Sequence, residues 1–145
     1  MGLGQRKTSL ARVPAQLYSQ NISLFCASSK QRSPSVGNDT LSFCVAGGGS
    51  WGTALAHLAA SNGHDVTLYL RNASGCAIHP AVRASVDPDV LSAPFVILAI
   101  PCQMQRAFLT ANRDRFAKGA VIINVAKGIE LSTLRTGSSF IPEIL

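Results

Sequence analysis

The stretch LSFCVAGGGSWGTALAHLAASNGHDVTLYLR, residues 41–71, decides the fold of this chain. It opens with a short apolar run and three consecutive glycines, continues through an Ala- and Leu-rich segment, and closes with a second apolar run. Short apolar runs are typical of buried strands, whereas small and unbranched side chains favour a helix that packs closely on a sheet. The stretch therefore predicts a strand at 41–46, a helix from Ser50 to about Asn62 that Gly63 terminates, and a strand at 66–70.

Three glycines in this stretch, Gly47, Gly49 and Gly52, have the G-x-G-x-x-G spacing of a dinucleotide-binding turn. In such a turn the first glycine permits the tight turn, the second lets the backbone approach a pyrophosphate, and the third lets the helix pack close to the sheet. The phosphates would lie at the helix N-terminus, where unpaired N–H groups and the helix dipole favour negative charge. A strand and a helix directly flank the motif, which favours cofactor binding over a simple glycine hinge.

Composition and charge narrow the possible partners. A chain of 145 residues with 47% apolar side chains is expected to form one globular domain, and no apolar run reaches the roughly 18 residues of a membrane-spanning helix. Residues 1–40 hold five of the 13 basic residues and one acid, whereas the remainder holds eight basic and six acidic residues. Because the body has little net charge and no basic stripe with interleaved aromatics, the sequence predicts no nucleic-acid partner.

The first forty residues form a distinct leader. They contain nine Ser or Thr residues and only one acid, and they lack the continuous apolar segment of a secretory signal. These features are typical of an organelle transit peptide, with the plastid favoured over the mitochondrion because serine is abundant. The alternative is a disordered tail without an address, which would leave the protein in the cytoplasm. We therefore predict a leader at 1–40 and a folded domain at 41–145.

The cysteines and histidines predict neither a metal site nor a disulfide framework. No pair of cysteines has C-x-x-C or zinc-ligand spacing, and Cys44 in the first strand is interpreted as a small buried apolar residue. No histidine has a partner at ligand spacing, so all three are expected to be structural. The residues concerned are Cys26, Cys44, Cys76, Cys102, His57, His64 and His79.

The remainder of the body predicts two further buried strands. Residues 95–100 and 120–125 are continuous apolar runs. Residues 103–116 between them predict a helix with Met104, Ala107, Phe108 and Ala111 on one apolar face. Residues 73–93 are interrupted by prolines and permit only a helical turn at 81–86, and a last helical segment is predicted from Glu130.

Together these elements predict an α/β fold with a Rossmann-like, doubly wound parallel sheet. The carboxyl ends of parallel strands lie at one edge, so residues 47–52, 101–103 and 127–128 should converge on one crevice. Arg71 lies at the end of the second strand, where this fold usually contacts the adenosine ribose. An arginine there can face a 2′-phosphate or stack on adenine, which favours NADP, or it is simply a solvated strand-end arginine.

Four blocks of the sequence, GGGSWGTALA at 47–56, NGHDVTLYLRN at 62–72, VILAIPCQ at 96–103 and NVAKGIE at 124–130, together resemble one family. They are similar to the N-terminal domain of NAD(P)-dependent glycerol-3-phosphate dehydrogenase. The glycine turn alone would fit other dehydrogenases, whereas its combination with the downstream AKGIE is more specific. The resemblance covers residues 41–145, and with the leader the chain looks like a plastid form.

The resemblance implies an enzyme that uses NAD or NADP to reduce dihydroxyacetone phosphate to glycerol 3-phosphate, for glycerolipid synthesis. Lys127 and Gly128 would contact the substrate, and Pro101 with Gln103 would shape the floor under the nicotinamide. The lysine ammonium can neutralise a phosphate or polarise a carbonyl oxygen, although Lys127 could also be a helix-start lysine without a role. The cofactor-binding residues implied are Gly47, Gly48, Gly49, Ser50, Trp51, Gly52, Arg71, Pro101 and Lys127.

Two departures from the family pattern carry expectations. The segment between Arg71 and Phe95 is short and lacks the family's N-x-x-Y-L-P block, so one crossover and one strand are expected to be lost or rebuilt. The chain also stops at Leu145, before the helical domain that in the family supplies the general acid/base lysine, substrate-phosphate contacts and dimer contacts. We therefore assign no catalytic residue and expect little turnover from this chain alone. The alternative is an inactive, truncated isoform that only binds the nucleotide.

Overall fold

The computed structural model describes residues 39–72 and 79–145, and five strands in this part form one parallel sheet. The strands are β1 (Ser42–Ala46), β2 (Asp65–Tyr69), β3 (Val82–Ser85), β4 (Phe95–Leu98) and β5 (Val121–Asn124). Their spatial order is β3-β2-β1-β4-β5, with β1 at the centre. This is the order expected of a Rossmann-type sheet, so the predicted fold class is confirmed.

The predicted strand–glycine turn–helix–strand unit is present with nearly the predicted bounds. Helix α1 (Ser50–Ser61) connects β1 to β2, and the two strands pair in parallel over their full lengths. Asn62 caps the helix, because its side-chain amide donates a hydrogen bond to the Leu58 carbonyl oxygen (2.8 Å). Gly63 follows in the left-handed region (φ 84°) and lets the chain turn back into β2.

The sheet separates two apolar clusters, because successive strand residues point to opposite faces. Val45 belongs to the cluster under α1, together with Ala56, Val66 and Ile97. Its neighbour Cys44 belongs to the other cluster, which is covered by helices α2 (Cys102–Asn112) and α3 (Gly137–Ile144). Cys44 is fully buried, as the sequence predicted.

The third strand replaces a predicted helical turn. Residues 82–85 pair in parallel with β2, and the Leu70 amide donates to the Ser85 carbonyl oxygen (2.8 Å). The helical turn predicted at 81–86 is therefore wrong, and the strand that was expected to be lost or rebuilt is present at 82–85. Pairing with β2 decides the conformation here, whereas the local residue pattern did not indicate it. Residues 73–78 of the preceding connection lie outside the described part, and the connection from β3 to β4 holds a 3-10 helix at Pro88–Ser92.

The prediction of a helix from Glu130 is also wrong. Two short antiparallel strands, β6 (Ile129–Glu130) and β7 (Arg135–Thr136), form a hairpin, and α3 begins only at Gly137. The Leu134 amide donates to the Glu130 carbonyl oxygen (2.7 Å), and Leu134 adopts a left-handed conformation (φ 55°). This tight reversal places β7 beside β6 and prevents a helix from starting at Glu130.

The apolar face predicted for α2 is not the face that this helix buries. The buried residues of this helix are Cys102, Gln105 and Leu109, whereas Met104, Ala107 and Ala111 are exposed. The helix ends at Asn112, before a 3-10 turn at Arg113–Arg115, and not at Phe116. A polar residue, Gln105, therefore faces inward and part of the apolar stripe faces outward, which residue type alone could not indicate.

The histidine rings are not all isolated. The rings of His57 and His79 stack with their centroids 4.3 Å apart, and the ring of His64 lies against Phe43 (5.4 Å). The first pair joins α1 to the residues just before β3, a packing contact that sequence spacing did not indicate. Among the helices described, none has the length and apolar character that crossing a membrane would require.

Phe140 anchors α3 to the sheet and provides a test of this packing. It is fully buried, so Phe140→Ala should lower the free energy of unfolding by about 3–5 kcal/mol, because the substitution leaves a cavity. Leu131, which is 73% exposed, is the control, and Leu131→Ala should change the stability by less than about 0.5 kcal/mol. Urea denaturation followed by circular dichroism measures both values. Equal midpoints for the two variants would show that α3 does not belong to the cooperative unit.

Candidate nucleotide-binding cleft

A cleft of about 1430 Å³ opens where the carboxyl ends of the parallel strands meet. The turn after β1, the end of β2, the segment after β4 and the segment after β5 all contribute to its walls. The convergence of these four segments is the arrangement predicted from the parallel sheet. Polar or glycine residues at this edge include Gly47, Gly48, Gly49, Arg71, Asn72, Gln103 and Lys127.

Gly47 and Gly52 are required by close backbone packing in the turn. Gly47 has φ 119°, and a Cβ on it would lie 2.6 Å from the carbonyl oxygen of Ala99, just after β4. A Cβ on Gly52 would lie 2.0 Å from the carbonyl oxygen of Gly47. Both distances are well inside van der Waals contact, so any side chain would force α1 away from the sheet.

Gly49 differs from these two glycines because the fold does not require it. Its backbone is extended (φ −70°, ψ 172°), a conformation open to any residue, and a Cβ on it would meet no atom within 4 Å. Gly49 is the N-cap of α1, where no side chain makes a capping hydrogen bond and the first turn holds no acidic residue. The helix thus presents free N–H groups beside open space, which is the chemistry of an anion site.

The structure brings most of the predicted site residues together. Gly47, Gly48, Gly49, Trp51, Arg71, Pro101 and Lys127 all line the cleft. Three others lie beside its walls. Ser50 is exposed at the start of α1, Gly52 is buried beneath the turn, and Gly128 follows Lys127 with φ 104°. Trp51 is 62% exposed, so its indole ring is available to a ligand in the cleft.

One wall of the cleft is apolar and was not predicted. It is formed by Tyr69 at the end of β2 and by one side of α2, with the rings of Tyr69 and Phe108 6.0 Å apart. The α2 residues in this wall are those that the sequence placed on one apolar face of the helix, namely Met104, Ala107, Phe108 and Ala111. An apolar wall beside a cluster of polar groups is typical of a small-molecule site.

The loop that carries Lys127 is held by side chains of α2 at both of its ends. At its start, the Asn124 Oδ1 atom accepts hydrogen bonds from Gln105 Nε2 (2.7 Å) and from the Ala126 amide (3.1 Å). At its end, Gln103 Nε2 donates to the Ile129 carbonyl oxygen (2.7 Å). The Oε1 atom of Gln103 accepts from the Leu131 amide (3.0 Å). Gln103 thus lines the cleft, as expected. Its side-chain amide, however, is hydrogen-bonded to the backbone of Ile129 and Leu131.

An ion pair between half-buried Arg106 and buried Glu130 reinforces this attachment. Arg106 makes two hydrogen bonds to the Glu130 carboxylate (2.7 and 2.8 Å), to which the Thr133 hydroxyl also donates. These hydrogen bonds lower the pKa of Glu130 from 4.5 to about 2, and the bond from Arg106 has the largest effect. The Arg106 guanidinium also lies 4.9 Å from the centre of the Phe140 ring. Sequence analysis missed this pair, because its two residues are 24 positions apart and no local pattern links them.

The metal-ligand and thiol side chains of the described residues are scattered or buried. They contain no cluster of three His, Cys, Asp or Glu side chains that could hold a metal ion. Burial raises the pKa of the Cys44 thiol to about 12, so this cysteine is a packing residue and not a nucleophile. Cys26 and Cys76 lie outside the described residues.

The fold and the cleft define a Rossmann-type dinucleotide-binding domain, and solved structures share this fold. Glycerol-3-phosphate dehydrogenase of Plasmodium falciparum superposes with a TM-score of 0.58 and 18% identity, covering 73% of this chain and 38% of that structure. A D-isomer specific 2-hydroxyacid dehydrogenase from Xanthobacter autotrophicus Py2 superposes with a TM-score of 0.55 and 22% identity, covering 89% of this chain and 44% of that structure. At these identities the similarity concerns the fold alone.

Sequence relatives identify the family. Residues 42–84 match the family described as NAD-dependent glycerol-3-phosphate dehydrogenase N-terminus. The glycerol-3-phosphate dehydrogenase (NAD(P)+) of Desulfovibrio desulfuricans is 43% identical over 114 residues, or 68% of this chain and 34% of that protein. The enzyme of the same name from Lawsonia intracellularis is 38% identical over 121 residues, which are 66% of this chain and 34% of that protein. The chain is therefore homologous to the N-terminal part of NAD(P)-dependent glycerol-3-phosphate dehydrogenases. It spans about a third of the length of these curated relatives.

The Glu130 ion pair predicts a pH dependence of stability. The pKa of Glu130 is lowered in the folded state, so its ionised carboxylate contributes to the free energy of unfolding. This contribution is fully present above about pH 4.5 and is lost as the pH falls towards 2. Glu130→Gln should therefore be less stable than the wild type at pH 6, with the difference shrinking across this window. Denaturation at several pH values measures this difference in stability. Glu143→Gln, which breaks the exposed Arg135–Glu143 pair, is the control. A difference that does not vary with pH would contradict the assignment.

Proposed function

We propose that this domain binds NAD or NADP in the cleft and supplies the cofactor half of a glycerol-3-phosphate dehydrogenase. The reaction is dihydroxyacetone phosphate + NAD(P)H + H+ to glycerol 3-phosphate + NAD(P)+. The observation that carries the proposal is Gly49, a glycine that the fold does not require, beside the uncapped N-terminus of α1. A ligand that must approach the backbone explains this glycine, and a pyrophosphate is a ligand of that kind.

The residues around the turn fit the dinucleotide. The free N–H groups at the start of α1, from Ser50 and Trp51 onwards, would bind the pyrophosphate. Arg71, exposed at the end of β2, would lie at the adenosine end, and the adjacent residues Leu70 and Asn72 carry no negative charge. A guanidinium there can pair with a 2′-phosphate through two hydrogen bonds, which favours NADP, but it can also stack on the adenine of NAD.

Lys127 is the residue of this chain proposed to act on the substrate. It is exposed on the loop after β5, in the same cleft as the glycine turn, with Gly128 beside it. Its ammonium would neutralise the substrate phosphate or polarise the carbonyl oxygen that gains negative charge during reduction. The bound nicotinamide supplies the hydride, and the protein orients it and excludes water. For a chain with both family domains the resemblance also implies a homodimer, which sedimentation would test.

A second candidate function is nucleotide binding without turnover. Among the described residues that line the cleft there is no carboxylate and no imidazole, and Lys127 and Arg71 are its cationic side chains. A domain of this composition can hold an anionic cofactor but offers few groups for proton transfer. Saturable binding of dihydroxyacetone phosphate to the NADH complex is expected of the dehydrogenase function and not of nucleotide binding alone.

Gly49→Ala tests the cofactor site without disturbing the fold. Because its Cβ would meet no protein atom within 4 Å, this variant should unfold like the wild type, yet the methyl group should impede the pyrophosphate. We expect NADH and NADPH affinity to fall at least about tenfold, the loss of about one good anion contact. Calorimetric titration measures the affinity, and Trp51, the only tryptophan of the chain, reports binding by fluorescence.

Ser61→Ala, at the exposed far end of the same helix, is the control and should bind both cofactors normally. Unchanged affinity in Gly49→Ala would contradict the proposed site. Arg71→Ala distinguishes the cofactors, since an arginine on the 2′-phosphate predicts a loss of NADPH affinity with NADH affinity retained. A loss for both cofactors would favour stacking on adenine.

We also propose that residues 1–40 direct the protein to the plastid. The support is compositional, with nine Ser or Thr residues and five basic residues against one acid. Residues 1–40 fused to a fluorescent protein should accumulate with chlorophyll in plant cells, whereas a fusion of residues 41–145 should not. Mitochondrial or cytoplasmic fluorescence of the leader fusion would contradict the plastid address.

A further inference from the structure

We propose that Gln103 is a positioning residue for Lys127, which it holds in the cleft by acting as an additional strand partner for β6. The inference rests on the proposed function of Lys127 as the residue that contacts the substrate. Helix α2 would then position Lys127 in addition to forming one wall of the cleft. The evidence lies in how the loop between β5 and β6 is attached.

The Lys127 side chain has no anchor of its own. It is exposed, and it makes no hydrogen bond or ion pair with any other described residue. Gly128 beside it has φ 104°, and a Cβ on it would meet nothing within 4 Å. The direct contact of this part of the loop is weak, from the Cys102 thiol to the Gly128 carbonyl oxygen (3.7 Å). The position of Lys127 therefore depends on the attachments on either side of it.

Gln103 provides the attachment on the β6 side. The Glu130 carbonyl oxygen faces β7, where it accepts from the Leu134 amide. Because successive backbone groups of a strand point to opposite sides, the Ile129 carbonyl and the Leu131 amide face away from β7. The side-chain amide of Gln103 donates to the first and accepts from the second (2.7 and 3.0 Å). It pairs with the strand as a neighbouring peptide group would.

Two further contacts hold the loop and strand β6 against α2. The Asn124 side chain ties the start of the loop to Gln105, whose side chain is fully buried. The Arg106–Glu130 pair ties β6 to α2 one helical turn beyond Gln103, and the Glu130 carboxylate is buried. Three residues of one helix thus hold both ends of the loop. A rigid helix transmits its position to Lys127 through these contacts.

The role requires an amide in particular. Glutamine offers one donor group and one acceptor at the right spacing, whereas glutamate can accept but cannot donate to the Ile129 carbonyl. Leucine has a similar size and can do neither. Gln103→Glu and Gln103→Leu are therefore matched variants that remove one or both hydrogen bonds. Thr110→Ala, at an exposed position on the same helix outside the cleft wall, is the control.

The test uses the whole 145-residue chain and three measurements. Amide hydrogen exchange should quicken in Gln103→Leu for the backbone from Lys127 to Leu131 and stay unchanged in β1 and β4. Because Gln103 also lines the cleft, NADH affinity should fall as well, but by much less than substrate affinity. The affinity of the NADH complex for dihydroxyacetone phosphate should fall about tenfold, in line with two lost hydrogen bonds. In a Lys127→Ala background, Gln103→Leu should cause no further loss.

The outcomes separate this inference from the function on which it rests. Unchanged exchange in the loop of Gln103→Leu overturns the attachment itself. A further loss of dihydroxyacetone phosphate affinity in the Lys127→Ala background, or an equal loss of NADH affinity, overturns the positioning role alone and indicates general structural damage. A wild-type chain with an intact loop that binds no NADH contradicts the proposed function and this role with it. Gln103→Glu should fall between the wild type and Gln103→Leu.

Discussion

The carbonyl oxygen of Gly47 occupies the space that any side chain at Gly52 would need, and this contact sets the first helix on the sheet. Gly47 in turn lies so close to the Ala99 carbonyl oxygen that it cannot carry a side chain either. The turn is therefore pressed between the ends of two neighbouring parallel strands. Because α1 starts there, its free N–H groups open at the carboxyl edge of the sheet, where the other strand ends bring Arg71 and Lys127.

The character of the cleft follows from what lies beside this turn. The connection between β3 and β4 is short and holds one 3-10 helix, and one stripe of α2 faces the cleft. The result is an apolar wall, with Phe108 and Tyr69 in contact, beside a turn suited to an anion. A ligand with flat rings joined by phosphates matches both surfaces, since burying the rings and pairing the phosphates use different parts of the site.

Helix α2 joins the cleft wall to the loop that carries Lys127. Its first turn borders the cleft through Cys102 and Gln103, and its buried and half-buried residues Gln105 and Arg106 hold Asn124 and Glu130. The buried Glu130 carboxylate is stable only because its charge is paired and hydrogen-bonded. The wall that would face a cofactor ring and the lysine that would face a substrate therefore belong to one rigid unit.

The sequence by itself determined the β1–α1–β2 unit, strands β4 and β5, and the edge at which the site residues meet. These features depend on local properties, namely apolar runs, small helix residues and glycines at a set spacing. Only the tertiary structure decided β3, the β6–β7 hairpin, the start of α3 and the face that α2 buries. Strand β3 exists because it pairs with β2, and the loop of Lys127 is held by contacts such as Arg106 to Glu130, 24 residues apart. Such contacts form between residues that only the folded chain brings together, so no local pattern encodes them.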